Sequence, residues 1–219
     1  MKKYTIYADN NFLNKDTKAY YTLDYYGEEN NDDTKFILTF KNTFCWEKIN
    51  DLKNAKAKAE NILISDLSEI ITLENLDECT IVSVPRAKAL NTYVPEQLCL
   101  IEAISCATKS INNAVDGTNY ILRYKNTKTT HLGRVTGRIS AQGNIPKGNN
   151  ANDGPEPYPG ITRDTCNINA DRIKGQTIIL VDDIYTADCN VDEDCIQALY
   201  DAGAKEVIFY SFAKTVKRY

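Results

Sequence analysis

This 219-residue chain has very little histidine and no closely spaced pair of cysteines. His131 is the only histidine, and the seven cysteines include no C-x-x-C pair. Zinc sites are built from closely spaced histidines and cysteines, and disulfide frameworks use an even number of cysteines, so neither is predicted. Unpaired cysteines favour a reducing compartment, and we expect the protein to be cytoplasmic.

Long apolar stretches are missing as well. No apolar run approaches the roughly 18 residues of a membrane-spanning helix, and the N-terminus, Met1-Lys2-Lys3-Tyr4, lacks the apolar core of a signal peptide. We therefore expect neither secretion nor a membrane partner. Apolar residues make up 42% of the sequence, which in a chain of this length supplies the core of one α/β domain with a small addition.

Acidic residues are absent from one long segment. Between Gly117 and Asn152 there is no Asp or Glu, whereas six basic residues are present, although the whole chain has a net charge of −4. The overall charge argues against a general nucleic-acid binder. The local reversal of charge indicates an anionic ligand, or a nucleic-acid or protein partner for residues 117–152, with a solvated basic loop as the alternative.

A long loop is predicted at residues 133–162. This segment holds six of the ten glycines and four of the six prolines, and it has no sustained apolar period. Such a composition is typical of a flexible loop or an insertion without regular structure. A segment of this kind that binds a partner is also possible from the composition.

The segment Thr177–Thr186 carries the strongest signal for function. Its apolar residues 178–181 predict a buried parallel strand that ends in Asp182 and Asp183. A helix capped by Asn190 and a second apolar strand at 207–212 complete a βαβ unit. Open α/β sheets bind ligands at the carboxyl ends of their strands, so we expect the two aspartates to face a ligand there.

The residues around this strand end are similar to those of a known family. The pattern resembles type I phosphoribosyltransferases, and in particular the ComF branch, which is related to amidophosphoribosyltransferases. The matching residues are Lys174-Gly175, Asp182-Asp183, Tyr185-Thr186, Ala198-Leu199 and Ala202-Gly203-Ala204, with Val82 to Arg86, Arg123, Lys125, Thr127, Arg163 and Asn167 upstream. The resemblance covers roughly residues 80–215.

The resemblance implies a mainly parallel, doubly wound sheet with neighbouring strands near 80–84, 119–123, 177–181 and 207–212. It implies that Asp182 and Asp183 are the catalytic pair, holding the ribose of phosphoribosyl pyrophosphate and bearing on Mg²⁺ indirectly through ligand or water. The implied 5′-phosphate residues are Thr186, Ala187, Asp188, Cys189 and Asn190. The implied pyrophosphate side comprises Pro85, Arg86, Lys88, Arg123 and Lys125. Tyr185 and Arg163 are implied as further ligand-binding residues.

The phosphate turn departs from the family pattern. The family has Thr-Thr-Gly where this chain has Thr186-Ala187-Asp188, so a hydroxyl and a glycine are lost and a negative charge is gained. Two functions remain open. One is a phosphoribosyltransferase that releases pyrophosphate, and the other is a non-catalytic module of the same fold that binds a nucleotide, nucleic acid or protein. A homo-oligomer is compatible with both.

Two regions are expected along the chain. Residues 1–42 predict a β-rich hood made of a hairpin, with strands at 17–26 and 35–41 joined by a polar turn. We expect residues 43–219 to form the phosphoribosyltransferase-like domain that the resemblance implies. Its helices are expected at about 46–64 and from Pro95 onward.

Overall fold

The computed structural model describes residues 1–9, 11–27, 33–43, 45–128, 162–187 and 189–216. The strands are β1 (Lys2–Ile6), β2 (Thr17–Tyr25), β3 (Cys79–Ser83), β4 (Ala114–Asp116), β5 (Ile121–Arg123), β6 (Cys166–Ile168), β7 (Thr177–Tyr185) and β8 (Glu206–Thr215). The helices are α1 (Lys35–Lys41), α2 (Ile49–Leu73), α3 (Cys99–Thr108), α4 (Thr162–Thr165), α5 (Ala170–Ile173) and α6 (Val191–Asp201), with 3₁₀ turns at Leu90–Thr92 and Pro95–Gln97.

The main sheet has six strands in the order β1-β2-β8-β7-β3-β4. Only β1 and β2 pair antiparallel, and every other neighbouring pair is parallel. The predicted α/β class with a mainly parallel sheet is therefore confirmed. The buried strand at 178–181 is confirmed as well, because none of its four side chains is exposed to solvent.

Helices cover both faces of this sheet. Side chains alternate along a strand, so Ile179 and Val181 of β7 face one side while Ile178 and Leu180 face the other. The first pair packs with residues of α1, α2 and α3, and the second pair packs with residues of α6. The sheet is thus the middle layer between two apolar cores.

The predicted N-terminal hairpin is wrong. Residues 35–41 form helix α1 and not a strand, because Phe36, Ile37 and Phe40 are spaced to lie on one helical face and are buried against the core. Strand β2 does not pair with this segment. It pairs in parallel with β8, so the N-terminal strands extend the main sheet and do not form a separate hood.

The predicted place of the strand near 119–123 is also wrong. Strand β5 pairs antiparallel with β6 in a small second sheet, and the short strand β4 lies beside β3 instead. A tight turn separates the two, since Asp116 accepts hydrogen bonds from the backbone and hydroxyl of Thr118 at 2.9 and 2.7 Å. Gly117 also packs so closely on β3 that an added Cβ would lie 2.4 Å from Thr80.

The remaining expectations about elements are met in part. The helix predicted at 46–64 is observed as α2, which is longer, and the one predicted from Pro95 is observed as a 3₁₀ turn followed by α3. No helix within the described ranges is long and apolar enough to cross a membrane. The predicted loop at 133–162 lies outside the described residues, apart from Thr162.

Candidate ligand-binding site

The candidate site is a crevice at the carboxyl ends of β3 and β7. The two strands are parallel neighbours, with Ser83 opposite Val181, and the amide of Val84 donates to the Val181 carbonyl oxygen at 2.9 Å. The chain leaves β3 toward α3 on one face and leaves β7 toward α6 on the other. Ligands of open α/β sheets bind at such a divergence. The register brings the loop after β3 alongside Asp182 and Asp183.

Asp183 is buried and already paired with a cation. Its Oδ2 lies 2.6 Å from Nζ of Lys41, the last residue of α1, and its Oδ1 accepts the amide hydrogen of Ile184 at 2.7 Å. Burial alone would lower the pKa of Lys41, but the charges of Asp183 and Asp182 outweigh burial and raise it. Sequence reasoning missed Lys41, because residues 35–41 were predicted to be a strand of the N-terminal hood.

Asp182 faces the other side of the sheet and meets a third carboxyl group. Burial, with the neighbouring charge of Asp183, raises the pKa of Asp182 from 3.8 to about 7. Asp192 of α6 is almost fully buried, and burial together with the charges of Asp182 and Glu193 raises its pKa far above the ordinary range. Each of these two carboxyl groups is among the causes of the other's pKa shift, so the two interact.

The N-terminal turn of α6 is occupied by acidic side chains of the chain itself. Asp192, Glu193 and Asp194 are consecutive there. Glu193 accepts the hydroxyl hydrogen of Tyr185 at 2.7 Å, and Asp194 accepts the amide hydrogen of Thr162 at 2.6 Å. Carboxylates are favourable at a helix N-terminus, but they compete there with a bound phosphate. The three acids are visible in the sequence, and the prediction of a phosphate site did not take them into account.

Polar groups of the predicted phosphate turn form hydrogen bonds with other residues of the protein. The hydroxyl groups of Thr186 and Thr215 lie 2.6 Å apart, and the amide of Cys189 donates to the Thr186 carbonyl oxygen at 3.2 Å. Asn190 occupies the cap position of α6 with a left-handed φ of 56°, but its side chain makes no capping hydrogen bond. Ala187 is exposed, and the altered position Asp188 lies outside the described residues.

Tyr185 belongs to the core. It is buried, and its ring packs between those of Tyr4 and Phe209 with centroid distances of 5.4 and 5.6 Å. Its hydroxyl group is directed at Glu193, as described above. The structure therefore gives Tyr185 a packing role beneath the turn.

The loop after β3 brings Pro85, Arg86 and Lys88 to the crevice. Arg86 donates through Nη1 to the carbonyl oxygens of Lys41, at 2.8 Å, and Gln97, and its guanidinium group lies 4.6 Å from the ring centroid of Tyr93. The Lys88 ammonium group donates to the Thr127 carbonyl oxygen at 2.7 Å.

A small pocket opens beside this loop. Its volume is about 20 Å³, room for roughly one water molecule. The lining residues are Ser83, Pro85, Arg86, Lys88, Leu90, Tyr93, Leu98, Ile101, Ile121, Leu122 and Arg123.

The remaining basic residues that were predicted for the site are Arg123, Lys125 and Arg163, and they lie in three different environments. Arg123 is buried beside the crevice, where its Nε donates to the Arg86 carbonyl oxygen at 2.7 Å and its Nη1 donates to the Thr165 hydroxyl group. Lys125 is exposed next to it. Arg163 is not brought to the crevice, because its guanidinium group pairs with Asp201 at 2.9 Å, at the opposite end of α6.

The carboxylate pair offers a divalent cation few direct ligands. No group of three or more His, Cys, Asp or Glu side chains suited to a metal ion is found within the part of the chain that the structure describes. Lys41 moreover holds Asp183. Mg²⁺ bound mainly through phosphate oxygens of a ligand stays a prediction, since it needs few protein ligands.

Comparison with known proteins adds no family assignment. A scan of the chain against protein-family models gave no match, and no protein matched in a search of curated proteins.

Proposed function

We propose that the crevice binds phosphoribosyl pyrophosphate or a related ribose phosphate, in a fold like that of type I phosphoribosyltransferases. The main support is the meeting of Asp182 and Asp183 with the basic loop at Pro85 and Arg86, on neighbouring strand ends where the chain diverges. Carboxylates accept hydrogen bonds from vicinal hydroxyl groups, while a basic loop neutralises phosphate. A ribose phosphate presents both kinds of group.

In this proposal each residue of the crevice has a role in ribosyl transfer. Asp183 and Asp182 accept hydrogen bonds from the ribose hydroxyl groups and lie beside the positive charge that develops on the sugar. Arg86 and Lys88 compensate the negative charge of the leaving pyrophosphate after release from their carbonyl partners. Mg²⁺ supplies further charge compensation when it arrives with the pyrophosphate.

A non-catalytic module of the same fold is the second candidate. The acids at the start of α6 and the internal contacts of Thr186 and Cys189 favour it, because they weaken the turn as a phosphate site. In this alternative the crevice holds a nucleotide, or the basic segment 117–152 contacts nucleic acid or a protein.

Calorimetric titration with phosphoribosyl pyrophosphate and Mg²⁺ tests the ligand. We expect saturable binding that weakens more than about tenfold in Asp183→Asn, because hydrogen bonds to charged groups contribute roughly 1.5–3 kcal/mol. Asp201→Asn is the matched control, since Asp201 lies at the far end of α6. Binding by the control should equal that of the natural protein.

Two results decide between the candidates. Equal affinity of Asp183→Asn and the natural protein, with both chains folded by circular dichroism, contradicts the ribose site. If binding is present, pyrophosphate release with ammonia or nucleobases as acceptors identifies a transferase, and its absence supports the non-catalytic module.

A further inference from the structure

Lys41 and Arg86 place two positive charges on the side of the crevice that faces α1. Nζ of Lys41 lies 2.6 Å from Oδ2 of Asp183. Arg86 donates through Nη1 to the carbonyl oxygen of Lys41 at 2.8 Å and to that of Gln97. These carbonyl groups carry no net charge, so Asp183 balances only one of the two cations. The group formed by Lys41, Arg86 and Asp183 therefore keeps one positive charge.

The two cations also affect each other. Burial lowers the pKa of Lys41, the charges of Asp183 and Asp182 raise it by more, and the charge of Arg86 lowers it again. An ammonium and a guanidinium group that repel each other are both stabilised by an anion that contacts the two of them. The Lys41 side chain is 31% exposed, so such an anion can reach it from solvent.

The backbone that carries Lys41 is fixed by hydrogen bonds. The amide of Asn42 donates to the carbonyl oxygens of Leu38 and Thr39 at 3.2 and 3.1 Å. Gln97 donates through Nε2 to the carbonyl oxygens of Asn42 and Thr43 at 3.4 and 3.0 Å. The fold itself thus presents the ammonium group at the crevice. This group has three donors, so it can contact a phosphate oxygen as well as Asp183.

The contact between Lys41 and Asp183 bears on where a ligand carries its phosphate. A ribose hydroxyl group that donates to Asp183 comes close to the Lys41 ammonium group, because both bind the same carboxylate. A phosphate on the neighbouring ribose carbon then lies within reach of Lys41. In phosphoribosyl pyrophosphate the pyrophosphate is attached beside a ribose hydroxyl group, whereas the phosphate of ribose 5-phosphate is at the other end of the sugar.

We propose that Lys41, together with Arg86, binds the pyrophosphate group beside the ribose hydroxyl that Asp183 accepts. Lys41 is then a specificity-determining residue, which favours a ribose with pyrophosphate at its first carbon over one with phosphate only at its fifth. The inference rests on the proposed ribose phosphate site and adds a ligand-binding residue to it.

Calorimetric titration at constant Mg²⁺ concentration compares these two ligands. We expect Lys41→Met to weaken binding of phosphoribosyl pyrophosphate at least about tenfold, because a charged hydrogen-bond donor is lost. Binding of ribose 5-phosphate should not weaken. Lys41→Arg keeps the charge and should retain most of the affinity. Lys56→Met is the matched control, because it removes the same charge from an ion pair with Glu102, at 2.7 Å, between α2 and α3.

Inorganic pyrophosphate tests the anion contact without the ribose. Lys41→Met leaves Asp183 buried without its cation, which lowers stability and itself repels an anion. The comparison is therefore made in Asp183→Asn, where the addition of Lys41→Met should weaken pyrophosphate binding at least about tenfold. Thermal melting shows whether each variant is folded at the temperature of the titration.

The proposal is overturned if folded Lys41→Met binds phosphoribosyl pyrophosphate as tightly as the natural protein, or loses both sugar phosphates equally. Pyrophosphate that fails to bind Asp183→Asn, or binds the double variant equally well, also overturns it. So does an equal loss in Lys56→Met, since the effect would then reflect overall charge. Failure of the ribose site is distinguishable, because ribose 5-phosphate binding would then not depend on Asp183 while pyrophosphate binding would still depend on Lys41.

Discussion

Two adjacent aspartates at one strand end acquire opposite environments in this protein. Side chains of successive strand residues point to opposite faces, so Asp183 follows Ile179 and Val181 toward α1, and Asp182 follows Ile178 and Leu180 toward α6. Asp183 therefore meets an ammonium group and Asp182 meets another carboxyl group. The alternation of side chains along β7 therefore gives the two aspartates different electrostatic environments before any ligand binds.

Asp182 should make the stability of the protein depend on pH. Its pKa is raised from 3.8 to about 7, so between these values the folded chain holds a proton that the unfolded chain has released. The contribution of Asp182 to the free energy of unfolding is therefore lost as pH rises from about 4 to about 7. In Asp182→Asn this loss should be smaller by about 1 kcal/mol or more, because one pKa unit corresponds to about 1.4 kcal/mol.

Urea unfolding at several pH values across this window measures the effect. Asp201→Asn changes an exposed carboxylate in the same way and should leave the slope unchanged. Parallel profiles for Asp182→Asn and the natural protein would show that Asp182 is ionised in the folded chain throughout the window.

The sequence shows some of these residues and conceals others. Asp182 and Asp183 could be found because they interrupt an apolar run that has no structural need for charge. Lys41 could not, because its place depends on a contact between segments about 140 residues apart, and a lysine at the end of an amphipathic segment carries no local sign of its partner. The roles of the pair in ligand binding stay predictions.

At the scale of elements, Arg86 joins three segments. It links the loop after β3 to the end of α1 and to the 3₁₀ turn at Pro95–Gln97, and it stacks on Tyr93. The planar guanidinium group serves all these contacts at once, which a lysine ammonium group cannot reproduce. Arg86 therefore ties the loop after β3 to the end of α1 and to the 3₁₀ turn.

Arg86→Lys should lower the free energy of unfolding by about 1–3 kcal/mol, because charge-assisted hydrogen bonds and the stacking contact are lost. Chemical denaturation measures the change. Arg163→Lys is the matched control, since the Arg163 side chain is 68% exposed in its ion pair, and it should shift stability by no more than about 0.5 kcal/mol. Equal stability of the two variants would mean that the Arg86 contacts do not hold the loop.

Elements whose apolar pattern and residue composition indicate the same structure were predicted correctly. Elements in which the two disagree were not. The run at 178–181 has no polar interruption, and it was identified correctly as a buried strand. Residues 35–41 are rich in Phe, Ile and Thr, which favour strands, yet packing of Phe36, Ile37 and Phe40 on the core decided for a helix. Tertiary burial outweighed local propensity there.

At the scale of the whole molecule, the N-terminus completes the sheet. Strand β2 pairs with β8 from Lys18 opposite Ile208 to Tyr25 opposite Thr215, although about 190 residues separate the two strands. No local pattern announces a pairing over such a distance, which is why a separate hood was expected. The division of the chain at residue 42 is not tested by this topology, but the sheet itself crosses that boundary.

Removal of residues 1–27 should abolish cooperative folding. Tyr20 and Tyr25 are both buried in the main core, and losing two such side chains costs on the order of 3–6 kcal/mol, comparable with the whole stability of many domains. The truncation also leaves β8 as an unpaired apolar edge, which favours aggregation.

Removal of residues 1–8 is the control, because it takes away only the antiparallel edge strand β1 and should leave a folded, less stable protein. Near-ultraviolet circular dichroism and sedimentation velocity report the two outcomes, and a monomer lacking residues 1–27 that still melts cooperatively would establish that residues 28–219 fold without β2.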